Sequence, residues 1–205
     1  ELFDGPEPEW VEVDVKRVAV EHKCDFGGPW LGLQLCRSLG LPEFLASTIA
    51  TGREDIAWPM MALVLVLGRL CDPSSELHLA EHSFASGALG ELLGIPAEKV
   101  NDDRLYRALD KLLPHKKALE KHLKEKLGTL FSLDYDLLLY DVTSTFFEGQ
   151  AAANDLAQRG YSRDHRSDCK QVNLALVVSR CGMPLGYELF AGNTADVRSE
   201  EHTSE

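Results

Sequence analysis

The chain has 205 residues, 44% of them hydrophobic and 26% charged, enough to bury a core as one domain or two small ones. Its formal net charge of −12 speaks against a uniformly basic surface and leaves only local patches for anionic partners. Five cysteines (Cys24, Cys36, Cys71, Cys169 and Cys181) have no CxxC spacing and are odd in number, which argues against a zinc knot or disulfide frame and fits a reducing, cytosolic setting.

Residues 1–25 hold eight acids against three bases and read as an acidic strand or loose arm. A helical region follows over residues 26–133. Gly28-Pro29 opens a helix with Leu31, Leu35 and Leu39 at four-residue spacing, stopped by Gly40 and Pro42. A short second helix carries Phe44, Leu45, Thr48 and Ile49. The third runs from about Ile56 to Leu70; its apolar stretch Met60–Leu67 is far short of a membrane span and predicts a buried core helix. Ser74 or Ser75 caps the next, with Leu77, Ala80 and Phe84 expected inward. Asn101-Asp102-Asp103 supplies a cap and an acidic first turn, after which Leu105, Leu109, Leu112 and Leu113 are expected on one face. Pro114 begins a last helix with Leu119, Leu123 and Leu127 at four-residue spacing.

Residues 99–126 carry nine bases against five acids. Such a run is most often the charged outer face of amphipathic helices, with phosphate contact as the alternative.

The character changes at Leu137-Leu138-Leu139-Tyr140-Asp141-Val142-Thr143-Ser144-Thr145-Phe146-Phe147, an apolar, β-branched run that reads as a strand covered on both faces. Asp141 sits within it. A carboxylate held there suits one wall of a divalent-cation site, while a solvated turn residue is the other reading. A second strand, Val172–Ser179, and a third, Met183–Phe190, are joined through Arg180-Cys181-Gly182 as a hairpin, with Gly182 permissive at the turn. Pro184 is tolerated at the start of an edge strand. Helices followed by strands give an α+β order.

The strings LLLYDVTSTFFEG, RGYSRDHRSDCKQV and GMPLGYELFAGNTAD, in that order, resemble the start of the catalytic domain of bacterial insertion-sequence transposases of the DDE, RNase H-like class. The stretch RLYRALDKLLPHKKALEKHL is similar to the region preceding that domain, so the resemblance covers roughly residues 28–196. It implies that residues 134–196 form the first three antiparallel strands of an incomplete RNase H-like domain. It also implies that residues 26–133 serve DNA binding or dimerisation. Asp141 matches the first of three metal-binding acids, and the expected cofactor of a complete site is Mg²⁺ or Mn²⁺. The expected partners are transposon terminal inverted repeats, target DNA and further copies of the chain, in the bacterial cytoplasm at the nucleoid. The family's second Asp and its Glu have no counterpart here, so this stretch alone is expected to be inactive. Both ends are read as cut; residues 197–205 depart from the family, resemble a translated sequencing adapter and are expected to lie outside the fold.

Within RGYSRDHRSDCKQ, Arg159, Arg163, Arg166 and Lys170 offer cations, and Tyr161 and His165 offer rings for stacking on a base. These six are the candidate DNA-binding residues; the alternative is a structural loop whose Asp164 and Asp168 pair internally with arginine. Glu148, seven residues after Asp141, is a candidate second ligand or a solvated strand exit. Asp196, Asn193 and Thr194 read as turn chemistry. His165 and Cys169, four apart with no second pair, make a poor metal site. Two other classes stay open: a different metal-dependent nuclease or glycosidase using Asp141 with Glu148, and a non-catalytic helical module for DNA binding or subunit pairing.

Overall fold

The longest apolar helix organises the chain. In the computed structural model, which describes residues 11, 12, 14–17, 19, 23–131, 138–161, 165–179 and 182–194, side chains are described for all of these but 131 and 138–141. α3 (Trp58–Cys71) buries Met61, Ala62, Leu63, Val64, Leu65 and Leu67, as its composition predicts. α1 (Gly27–Ser38) and α2 (Leu41–Thr48) pack on it from one side and α7 (Asp102–Leu112) from another. Between α3 and α7 lie α4 (Glu76–His78), a π-helical turn over Leu79–Ser83, α5 (Phe84–Ser86) and α6 (Leu89–Leu93). No helix among the described residues is long and apolar enough to cross a membrane.

Three helix faces differ in part from the spacing read in the sequence, although Phe84, 1% exposed, and Leu105, 0% exposed, are buried as expected. α1 turns Leu33 and Cys36 inward, while Leu31 and Leu35 are 54% and 49% exposed. Gly32 explains the choice: a Cβ there would stand 3.1 Å from Leu67 Cδ2 and 3.2 Å from Leu70 Cδ2, so only the glycine side of α1 can approach α3 this closely. After the Ser75 cap, whose Oγ accepts from the His78 N–H at 3.2 Å, the π turn shifts the helical phase. Leu79, 2% exposed, takes the inward place expected of Leu77, and its methyls sit against Gly68. In α7, capped by Asn101 Oδ1 accepting from the Arg104 N–H at 2.9 Å, the buried pair is Leu105 and Ala108; Leu109 and Leu113 are exposed.

β1 (Leu138–Phe147), β2 (Lys170–Ser179) and β3 (Pro184–Ala191) form an antiparallel sheet in the order β1-β2-β3. The molecule is therefore α+β. The hairpin forms as expected: Gly182 has φ +81° and donates its N–H to the Ser179 carbonyl at 2.9 Å. Pro184 opens edge strand β3, a first position at which a residue without an N–H is tolerated. The expectation that β1 is covered on both faces is corrected for its described side chains. Val142–Phe147 are half-buried or exposed, and among the described strand residues the buried ones belong to central β2.

α8 (Lys116–Phe131) joins the helices to the sheet. His122 stacks on Phe44 with centroids 4.6 Å apart, and its Nε2 lies 2.8 Å from the Leu39 carbonyl. On the other side Lys116 Nζ donates to the Tyr187 carbonyl and to Glu188 Oε1, while Glu120 Oε1 accepts from the Tyr187 N–H at 3.3 Å. Two side chains thus satisfy backbone groups of an edge strand, one way of closing an edge to foreign strands. Of the acidic residues 1–25, the described part includes an exposed 3₁₀ turn, Val15–Arg17.

Candidate functional site

Asp141 is the fourth residue of β1. Register pairs it with Leu176 of β2, itself paired with Tyr187 of β3. Its side chain lies outside the described residues, as do Arg163 and Asp196.

Three of the remaining candidate loop residues, Arg159, Arg166 and Lys170, gather near the other end of β1. Phe147, Glu148, Arg159, Arg166, Asp168 and Lys170 line a cleft of about 580 Å³ where β1 exits and β2 begins. Along an extended strand at about 3.3 Å per residue, this cleft is about 20 Å from Asp141. Glu148 accordingly cannot share a cation with Asp141, since two ligands of one ion each lie within about 2.6 Å of it. The separation is also too long for the paired carboxylates of a glycosidase, which stand about 5–9.5 Å apart. Glu148 is an exposed strand-exit residue, 3.7 Å from Arg166 Nη1.

Backbone pairing fixes the position of Arg159. Its neighbour Gln158 exchanges N–H···O bonds with Gln171, at 3.1 and 2.9 Å. Gly160, on the other side, is pressed against the turn after β3: a Cβ there would meet the Gly192 carbonyl oxygen at 2.0 Å. Gly192 in turn has no room for a Cβ, which would come 2.1 Å from the Gln171 oxygen. The buried Gln171 amide, 2% exposed, donates from Nε2 to the Tyr161 carbonyl at 2.7 Å and the Gly192 carbonyl at 2.9 Å. Asn173 Nδ2 donates to the Thr194 carbonyl at 2.8 Å, and the Thr194 N–H donates to the Ala191 carbonyl, so Thr194 does serve a turn. Tyr161, tied down by its backbone, holds its side chain in solvent at 85% exposure.

Arg166 is fixed differently. Its Nε and Nη2 donate to Asp168 Oδ1 and Oδ2 at 3.0 and 3.2 Å, and its guanidinium lies 4.8 Å from the centroid of the Phe146 ring. Hydrogen bonding to Arg166, then to Cys169, lowers the Asp168 pKa to about 2, and the same pairing raises that of Arg166 further. The internal pairing foreseen for this loop is thus present between Arg166 and Asp168. Desolvation first, then the hydrogen bond to Asp168, raises the Cys169 pKa, which leaves a protonated thiol and a weak nucleophile. His165 is exposed, with a left-handed backbone at φ +58°. Among the described residues no three His, Cys, Asp or Glu side chains gather as a metal group. The cleft thus holds three cations and two acids, a net charge of +1, with Arg166 already paired to Asp168.

Gln171, Asn173, Gly160 and Gly192 were not among the sequence candidates. Amide side chains inside an apolar strand, and a glycine in each flanking string, were the available signals.

No protein-family model, curated protein or solved structure matches this chain.

Residues 99–126 mostly use their charge internally. Lys99 and Arg104 reach Asp55 at 2.7 and 3.7 Å, Arg107 pairs with Asp103, Lys116 with Glu120 and Glu188, and Lys121 with Glu125. These contacts favour outer helix faces over a phosphate track.

Proposed function

We propose that this chain belongs to a DDE transposase with an RNase H-like catalytic domain. Its relatives in that class cleave and join DNA at insertion-sequence ends by in-line displacement at a phosphodiester. The observation that carries the reading is one acid, Asp141, inside the first of three consecutive antiparallel strands built from the strings that bear the resemblance. Asp141 would help hold divalent cations, which would supply activation of the attacking oxygen and stabilisation of the leaving one. Asp141 offers the hard oxygen donor that Mg²⁺ or Mn²⁺ prefers, and its register neighbours Leu176 and Tyr187 offer no carboxylate. Glu188, the other acid in these strands, is engaged by Lys116, so further acid ligands would come from outside the sheet, and the three strands by themselves are not expected to cut DNA.

Calorimetric titration of the chain with Mn²⁺, beside its Asp141→Asn variant, tests the reading. We expect a weak binding heat that the variant loses. Superimposable isotherms would remove the metal role of Asp141 and the proposal with it.

A second reading, a helical module for DNA binding or subunit pairing, is favoured by one observation. The main hydrophobic cluster is built wholly from residues between Leu33 and Ala108, without the sheet.

A further inference from the structure

We draw no further inference here: the strongest candidate, the exposed apolar surface of α1 formed by the stacked rings of Phe26 and Trp30 with Leu31 and Leu35, is an unpartnered face, and nothing among the described residues shows what covers it.

Discussion

Arg166 and Asp168 show how far one pair of side chains can shape a surface. Asp168 is an exposed residue, yet its carboxyl is held near a pKa of about 2, below the ordinary 3.8, chiefly by hydrogen bonding to Arg166 and then to Cys169. A depressed carboxylate pKa means that the pair's contribution to stability is fully present above pH 3.8 and is lost as pH falls toward 2. Solvent screening keeps that contribution small, so the readout is the titration itself. Carboxyl-carbon NMR of Asp168 should give a midpoint near 2 in the parent and one moved back toward 3.8 in Arg166→Gln. A midpoint unmoved by the substitution would show that Arg166 does not hold the carboxylate. Glu76 makes a similar bond in a more enclosed place. Burial pushes its pKa up, but backbone hydrogen bonding, Arg69 and Tyr106 together bring it below the ordinary value, which ties the start of α4 to the end of α3.

Elements were legible in the sequence wherever one strong local signal decided them. The Ser75 and Asn101 caps, the buried α3 and the Gly182 hairpin need only a side-chain oxygen, an apolar run or a positive φ. Helix faces were less legible, since Leu31 and Leu35 satisfy the same four-residue spacing as a buried stripe. What turned α1 was the depth of approach that Gly32 permits, a property of the pair of helices and invisible in either alone. The site divides in the same way. The basic loop could be read from its arginines, but the device that fixes it joins residues more than thirty apart. Gly160 and Gly192 lie in separate strings and meet only because β2 and β3 bring them together. Gly160→Ala should therefore destabilise the chain by roughly 1–3 kcal/mol, the usual range for forcing atoms into a filled space. The obstacle is a backbone carbonyl, which cannot swing aside as a side chain would. Urea unfolding measures this, and a midpoint equal to that of the parent would contradict the contact.

At the scale of the molecule, α8 is the seam. One flank, through His122, holds Phe44 and the Leu39 carbonyl of the helical part; the other, through Lys116 and Glu120, holds β3. Beside those polar contacts an apolar groove of about 290 Å³ lies between the α8 leucines and Leu176 and Leu185. The helical part keeps its own core, in which Leu33, Leu45, Met61, Leu67, Phe84 and Leu105 are almost wholly enclosed without help from any strand. A segment with a closed apolar core of its own is expected to fold as a unit. A polypeptide of residues 26–130, which retains nearly all of α8, should therefore unfold cooperatively on heating and retain the helical circular-dichroism signal. A gradual, non-cooperative melt would show instead that the sheet is needed to hold α8 and, through it, the helices. The same polypeptide separates the two functional readings. Retardation of DNA by residues 26–130 would place nucleic-acid affinity in the helices, whereas a folded but inert product would leave it to the loop between β1 and β2.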